Sequence, residues 1–541
     1  MRAPNGDAIA AALDAGIRRF DTARAYIENE RLLANVLRTH PRGAEARVIT
    51  KCGMRRDGGA WIPDGRAKSI WEDAEASIEA LNGVPIDVLL LHAPDPRVPL
   101  STSTKALGRV LEAGLVRRVG VSNVSRKQLE QIASSVPVAS VEVALGAYDD
   151  LAIRGGVVAY CIEHGIEILA HAPLGGPERA ARLDRDLGAD TFLAYLLAVR
   201  PEIVPIVGVT RVETVTRIAN AAKLELTEDQ LASLDARFPA LGALRRPAST
   251  VAAPRDAEIV LMMGIAGAGK SSAAEEYVAR GYERLNRDTL GGTLRAIAQR
   301  LDERLSAGGT RFVLDNTYVA RAWRNDVLNV AARHGARVRC VFFETPLHEA
   351  QVNAVNRMID IFGHVLTPEE IAAHSRANPA AFAPHALSRL SRNLEPPMLD
   401  EGFAEITSVP FVRRHPYGGR PGLFVPLAAI GNLNQIIEAS PSDTPCLLFG
   451  WRPEASEESL APIRATAAAI AQSTGRTIEV VHCPHPAGPP ICWCRPPLPG
   501  LFLEFAHRHA INLRASAIYT SSPSDRTVAR NLDLTFLRPS P

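Results

Sequence analysis

Up to about residue 240 the chain alternates short apolar runs with amphipathic stretches. The runs are Ile17–Asp21, Val48–Lys51, Val88–His92, Val119–Ser122, Ser140–Ala144 and Ile166–Ala172. Between them lie segments such as Ala67–Leu81 and Lys127–Ser135, whose apolar residues fall on one face of a helix. Short buried strands alternating with helices predict repeated βα units and a parallel sheet or barrel.

A second pattern begins at Ile259-Val-Leu-Met-Met263 and runs through Gly264-Ile-Ala-Gly-Ala-Gly-Lys270-Ser271 into a helix-like stretch, Ser272 to Ala279. This is strand, glycine-rich loop, helix, with two glycines and Gly-Lys-Ser at the spacing of a P-loop. Gly264, Gly267 and Gly269 let backbone N–H groups turn inward around phosphate oxygens with no Cβ in the way. The helix N-terminus adds partial positive charge. Lys270 is placed for the β and γ phosphates and Ser271 for Mg²⁺, with Ser272 beside it on the same turn. The segment predicts binding of ATP and Mg²⁺.

Two further strands of this segment end on acids. One closes on Asn286-Arg287-Asp288, where Asp288 is placed to take a proton from an attacking hydroxyl. The other, Arg311-Phe-Val-Leu-Asp315-Asn316, offers Asp315 to assist Mg²⁺, to position the acceptor, or to cap the next turn. Arg321 and Arg324 sit one helical turn apart, suited to acceptor phosphates or to a solvated helix face. A helix from Leu347 to Arg357 brings a cation that can neutralise transferring charge.

Two seams divide the chain. Leu241 to Asp256 is rich in Pro, Ala, Ser and Arg with no sustained period, and Val412 to Pro421 is Gly/Pro/Arg punctuation. The expected domains are 1–240, a linker at 241–257, 258–414 and 415–541. In the last, Cys483, His485, Cys492 and Cys494 gather four soft or borderline ligands in twelve residues. That set suits a closed tetrahedral Zn²⁺ site with a structural role. The alternative is buried free thiols.

Composition changes this picture little. A chain of 541 residues is too long for one core, and 46% hydrophobic with 22% charged residues is ordinary for a globular protein. A net charge of +2 excludes a global basic field, so any nucleic-acid site is a local groove. Seven cysteines, scattered apart from the one cluster, do not form a disulfide scaffold. There is no long apolar span and no leader-like apolar run at the start, so a cytoplasmic protein without membrane partners is expected. Only six lysines occur, and two of them, Lys51 and Lys270, stand where an amine is chemically needed.

The barrel-like segment carries Asp21, Tyr26, Lys51 and His92 at or just beyond successive strand ends, where the chemistry of a βα barrel is placed. A tyrosine protonates a carbonyl oxygen when a nearby lysine eases its ionisation; an aspartate holds that lysine and a histidine orients the carbonyl. These residues, with Gly120-Val-Ser-Asn123, His171-Ala-Pro-Leu174 and Pro205-Ile-Val-Gly-Val-Thr-Arg211, resemble the aldo-keto reductase family. The resemblance implies a (β/α)8-type barrel acting with NADPH, and a catalytic tetrad of Asp21, Tyr26, Lys51 and His92. It implies that Ser122 and Asn123 hold the nicotinamide amide and that Thr210 and Arg211 meet the adenosine phosphate end. Glu142, also implied as a cofactor contact, stands where the family usually has glutamine against the nicotinamide. The chain opens on the helix before Asp21, without the family's first strand. Either the start is misplaced or the barrel is incomplete, with two strand edges to cover.

The central segment looks like the kinase domain of polynucleotide kinase-phosphatases, through the P-loop, Asn286-Arg-Asp-Thr-Leu-Gly291, Leu314-Asp-Asn-Thr317, Asn356-Arg357 and Leu394-Glu-Pro-Pro-Met-Leu-Asp-Glu-Gly-Phe403. The resemblance makes Asp288 the general base on a 5′-hydroxyl of RNA or DNA and Arg357 the lid arginine. Val355 stands where some members carry another arginine. Arg287, Asp315, Asn316, Arg321 and Arg324 are the candidate substrate contacts.

The C-terminal segment, through Cys494-Arg-Pro-Pro-Leu-Pro-Gly500 and Ser521-Ser-Pro-Ser-Asp525-Arg526, resembles the zinc-loop phosphatases of the haloacid-dehalogenase superfamily. Its candidate nucleophile strand, Gly422–Ile430, has no acid. Pro496 replaces the lysine and Ser521 one Mg²⁺ acid, leaving Asp525. A pseudo-phosphatase is expected. The whole reads as an ATP-dependent 5′-hydroxyl polynucleotide kinase with a reductase-like and an inactive phosphatase-like domain. The alternatives are a metabolic fusion of carbonyl reductase and small-molecule kinase, or a kinase flanked by non-catalytic modules.

Overall fold

The computed structural model describes residues 5–245, 253–413, 419–441, 443–453, 455–520 and 522–537. Much of the first seam, most of the second and Ser521 lie outside them. The chain divides into two compact units.

The first unit is built on a seven-stranded sheet. Its strands are β1 (Arg19–Asp21), β2 (Arg47–Cys52), β5 (Ile86–Leu91), β6 (Arg118–Ser122), β7 (Val138–Ala144), β8 (Glu167–His171) and β9 (Ile203–Ile206), each paired in parallel with the next. A separate antiparallel hairpin, β3 (Met54–Asp57) and β4 (Ala60–Pro63), rises after β2 and turns at Gly58-Gly59. The strands read as continuous apolar runs because both faces are covered. Every residue of Ile86–Leu91 is buried. Ile49, Val88, Leu90 and Leu169 pack inside the barrel with Val204 and Ile206, while the opposite faces meet the helices in the large outer core. Helix starts follow local chemistry. Ser125 and Thr227 each form a capping box, with Gln128 and Gln230.

The expected barrel is nearly closed. Among the described residues β1 and β9 are edges with no strand between them. Outside that gap the helix Gly6–Asp14 packs on the helix Val212–Ala221 through Ala8, Ala12 and Val215, joined by Ile17, Phe20 and Val209. Small alanines allow the close approach, so the ring of helices continues where the ring of strands does not. Leu241–Arg245, expected as linker, instead complete a helix that begins at Pro239.

The second unit holds two five-stranded parallel sheets. The first has the order β11 (Glu283–Arg284), β12 (Arg311–Asp315), β10 (Glu258–Met263), β13 (Arg337–Glu344), β14 (Glu405–Pro410). The glycine-rich loop leaves the central strand. The second has the order β17 (Ile478–Cys483), β16 (Cys446–Trp451), β15 (Leu423–Pro426), β18 (Ala517–Tyr519), β19 (Thr535–Leu537). The strand expected over Gly422–Ile430 ends at Pro426, and Leu427–Asn432 turn as a 3₁₀ helix. Proline has no N–H to carry a ladder onward.

Contacts between the parts built on these two sheets include the following. The Arg413 guanidinium donates to both oxygens of Glu349 at 2.7 and 2.6 Å, to the carbonyl of Asn531 at 2.5 Å, and lies 3.0 Å from Asp533. Trp493, fully buried, donates its indole N–H to the carbonyl of Phe382 at 2.8 Å and meets that ring edge-on. No helix among the described residues is long and apolar enough to cross a membrane.

Candidate functional site

At the C-terminal ends of the barrel strands four of the expected residues converge. Lys51, on β2, is fully buried. Its ammonium donates to Asp21 Oδ1 at 2.5 Å and to the carbonyl of Thr22 at 3.1 Å, and lies 3.0 Å from Glu142 Oε2. The same ammonium sits 5.7 Å from the centre of the Tyr26 ring. Tyr26 and His92 meet edge-on with centroids 6.0 Å apart. Asp21, Tyr26, Lys51 and His92 thus form one cluster, and Glu142 is part of it.

Burial governs the electrostatics. It pushes the Asp21 carboxyl up to about 7, against the pull of Lys51 and with help from Glu142. For Lys51, burial alone would favour the neutral amine, but Asp21 and Glu142 outweigh it and hold the ammonium charged. Tyr26 is raised by burial, offset by Lys51. His92 falls to about 4 through burial and the Lys51 charge, so it is a neutral imidazole at neutral pH. That suits a hydrogen bond to a carbonyl oxygen rather than proton donation by an imidazolium. His92 Nδ1 is a buried polar atom with no hydrogen-bond partner among the described residues, which fits a pocket that takes a polar ligand.

Ser122 and Asn123 sit at the end of β6. Asn123, at φ 56°, donates to the His92 carbonyl at 3.1 Å and to Ser122 Oγ at 3.0 Å, and its Oδ1 lies 3.3 Å from His171 Nε2. This fixes an amide and a hydroxyl on the same rim as His92, as a nicotinamide amide would require. Thr210 and the exposed Arg211 precede the helix Val212–Ala221, whose first N–H groups and arginine suit a phosphate. Glu142, expected at the nicotinamide, also lies 3.0 Å from the Lys51 ammonium.

Sequence reasoning missed Trp61. It stands on β4, partly exposed, with its ring 5.9 Å from Tyr26 and 5.7 Å from His92, and Arg56 lies over it at 4.0 Å. The Asp57-Gly58-Gly59 turn between residues of strand character was the available signal.

In the second unit the P-loop forms as expected. Gly267 and Gly269 adopt φ 81° and 92°, the left-handed region that glycine enters freely. A Cβ on Gly267 would lie 2.5 Å from the carbonyl oxygen of Ala350. Lys270, buried, donates to the carbonyls of Gly264 and Ile265 at 3.0 and 2.9 Å. Burial lowers its ammonium to about 8, while Asp315 and Asp288 pull the other way. The charge of both acids thus reaches the lysine. Ser271 and Ser272 open the helix Lys270–Ala279 and are exposed.

Asp288 begins the short helix Arg287–Leu290, capped by Asn286, whose side chain accepts from Asp288 N at 2.7 Å. It is half exposed, with Arg287 at 3.7 Å. Asp315 is buried and bound by Arg284 and Asn286, and Asn316 accepts from Arg287 N at 2.8 Å. The β12 end thereby holds the Asn286–Asp288 segment in place. Arg357 is exposed on the helix Leu347–Phe362, one turn beyond Asn353, which donates to the Gly267 carbonyl at 2.8 Å. Asn353 was not singled out in the sequence, although it lies in the quoted helix. The pairing of Arg321 and Arg324 on one solvated face does not hold. Arg324 is fully buried and Arg321 half-buried.

The four expected metal ligands come together. Cys483, His485, Cys492 and Cys494 offer ligand atoms all within 4.8 Å of one another. Cys483 Sγ lies 3.6 Å from Cys492 Sγ and 3.5 Å from His485 Nδ1, and Cys494 Sγ lies 3.3 Å from that nitrogen. A tetrahedron with Zn–S of about 2.3 Å has edges of about 3.8 Å, so the donor set fits Zn²⁺. Asp525 is spent locally, its carboxylate accepting from Ser522 N at 2.8 Å in a capping box.

Family profiles match two separate segments of the chain. The aldo/keto reductase family profile matches residues 5–192, and that of an AAA domain matches residues 259–370. The uncharacterized oxidoreductase YcsN of Bacillus subtilis is 30% identical over 247 residues, 40% of this chain and 82% of that protein. The 6-dehydroglucose reductase of Agrobacterium fabrum is 27% identical over 245 residues, with the same 40% and 82% coverage. A solved aldo-keto reductase of Klebsiella pneumoniae in complex with NADPH is similar at 20% identity and a TM-score of 0.36, over 43% of this chain and 84% of that one. The chain spans between 50% and 82% of the length of such curated relatives. Through its N-terminal unit the chain belongs to the aldo/keto reductase family, and a P-loop domain of the AAA kind follows.

Proposed function

We propose that the chain is an ATP-dependent kinase acting on the 5′-hydroxyl ends of RNA or DNA, with an NADPH-dependent carbonyl reductase as its N-terminal unit. The observation that carries the kinase reading is the formed P-loop with its buried Lys270, whose ammonium feels the charge of the half-exposed Asp288. ATP, when bound with Mg²⁺, supplies the phosphoryl group. The P-loop amides and Lys270 hold its phosphates, and Ser271 holds the metal. Asp288 accepts the proton of the acceptor hydroxyl, kept in place by Asn286, Asp315 and Asn316. Arg357 neutralises charge on the transferring group.

In the barrel, NADPH supplies hydride when bound. Tyr26 donates the proton to the carbonyl oxygen, His92 orients that oxygen, and Lys51 with Asp21 tunes the phenol. The C-terminal sheet is read as a haloacid-dehalogenase-like pseudo-phosphatase. Its central β15 ends on Pro426 where a nucleophile is needed, and a Zn²⁺ held by the four Cys and His ligands would be structural.

The deciding experiment is transfer of label from γ-labelled ATP to 5′-hydroxyl RNA and DNA oligonucleotides, beside a panel of sugars and nucleosides. Labelled oligonucleotide establishes an end-healing kinase. Label on a small molecule alone overturns the nucleic-acid reading. It favours the second reading, a metabolic fusion, for which the assembled tetrad and the likeness to a reductase named for a sugar aldehyde speak.

A further inference from the structure

Lys51 is held by two carboxylates rather than one. Asp21 Oδ1 lies 2.5 Å and Glu142 Oε2 3.0 Å from the same ammonium, with the side chains 10% and 6% exposed. A glutamine at position 142 would leave a neutral ion pair. Glutamate leaves one ammonium and two acids in a site largely shut off from water. The other titratable groups around it do not balance the surplus. His92 on β5 and His171 on β8 are both driven towards the neutral imidazole by burial and the Lys51 charge. Tyr26, from the turn Arg24–Tyr26, is a neutral phenol. An unbalanced charge in such a place is relieved by binding a proton. The Asp21 carboxyl, lifted to about 7 by burial and by Glu142 against the pull of Lys51, is where part of that proton resides.

We propose that Glu142 is a positioning residue of the tetrad: with Asp21 it shares one proton around Lys51, and that shared proton sets how strongly Lys51 acidifies Tyr26. The proposal rests on the reductase reading for its meaning in catalysis, though not for its measurement. With the proton in place the trio is neutral, and the Lys51 charge favours ionisation of the phenol. When the proton leaves, the trio carries net negative charge and the phenol holds its own proton more tightly. Proton donation from Tyr26 then weakens as pH rises through neutrality. No bond other than O–H is made or broken, and the proton passes to solvent.

The test is the ionisation of Tyr26, followed by near-ultraviolet tyrosinate absorbance as the difference between each protein and its Tyr26→Phe partner. Glu142→Gln is expected to lower the midpoint by about one pH unit, a tenfold stronger acid. Glu142→Asp, which keeps the charge, is expected to stay close to the parent. In aldehyde reduction with NADPH, the parent is expected to lose kcat/KM between about pH 6 and 8, and Glu142→Gln to stay flat there. Equal Tyr26 midpoints in the parent and Glu142→Gln overturn the proposal, whether or not the barrel turns over. A lowered midpoint with no aldehyde reduction sustains the shared proton and removes the reductase reading instead. If Glu142→Gln does not fold, Asp21→Asn also leaves a single carboxylate, and an unmoved midpoint there overturns the proposal equally.

Discussion

Asn353 donates its side-chain amide to the carbonyl of Gly267 at 2.8 Å, so the helix Leu347–Phe362 and the phosphate-cradling loop form one mechanical piece. Gly267 also leaves no room between loop and helix, since a Cβ would meet the Ala350 carbonyl at 2.5 Å in a backbone at φ 81°. Gly267→Ala is expected to destabilise this unit by roughly 1–3 kcal/mol through strain and displacement of the helix. It should also weaken ATP binding at least tenfold. Thermal unfolding and nucleotide titration check both, and unchanged ATP affinity would contradict the account of the loop.

Asp288 and Lys270 are expected to fail differently. Asp288→Asn should reduce phosphoryl transfer by 10²-fold or more, the usual worth of a general base, while leaving ATP affinity within about threefold. Lys270→Ala should lose both transfer and affinity. Equal loss of ATP binding in the two variants would remove Asp288 from the role of base.

Lys270 also predicts a pH dependence of stability. Its ammonium is lowered from 10.5 to about 8 by burial, so between those values the unfolded chain binds more protons than the folded one. Stability from this group therefore rises with pH from about 8 to about 10.5, by roughly 3 kcal/mol at most. Unfolding of the parent and of Lys270→Met across that range should diverge in this direction, with the parent gaining.

For the metal centre, one Zn²⁺ per chain is expected on elemental analysis of the purified protein, and Cys492→Ser should abolish it. Trp493 lies between two of the ligands, with its indole on the Phe382 carbonyl. Chelation should therefore shift tryptophan emission to the red, and Trp493→Phe should lose most of that shift. A chelator that leaves both metal content and emission unchanged would return the cluster to free thiols.

In the barrel, Lys51→Met is expected to leave two buried carboxylates with no counter-ion. It should lower aldehyde reduction by at least 10²-fold and destabilise the unit by about 3 kcal/mol. Lys51→Arg should recover part of the stability and little of the rate, because the planar fork does not match the point charge held by Asp21 and Glu142. Steady-state kinetics beside thermal unfolding separates the two effects.

The sequence announced some of this and concealed the rest, for physical reasons. Strands such as Ile86–Leu91 were legible because parallel sheets demand uninterrupted apolar runs, and the P-loop because its glycines and lysine are close in sequence. The cluster of Cys483, His485, Cys492 and Cys494 was legible for the same reason of proximity. Glu142 was placed only by resemblance, and its grip on Lys51 is a long-range contact between β7 and β2 that no local pattern encodes. Arg324 misled because helical spacing says which residues share a face and nothing about what covers that face. The strand at Leu423 was expected to run on to Ile430, although Pro426 was visible and cannot extend a ladder. Trp61 was overlooked because a hairpin of only four residues on each side interrupts the βα rhythm.

The grip of Arg413 on Glu349 has a consequence for how the second unit can change over time. Glu349 opens the same helix whose next turn touches the P-loop, and Arg413 ties that acid to Asn531 and Asp533 at the end of the helix before the last strand. Deleting the sheet would strip the arginine of two partners and leave its hold on a nearly buried carboxylate to a loose chain end. The last sheet therefore cannot be trimmed away without loosening the helix that serves its neighbour.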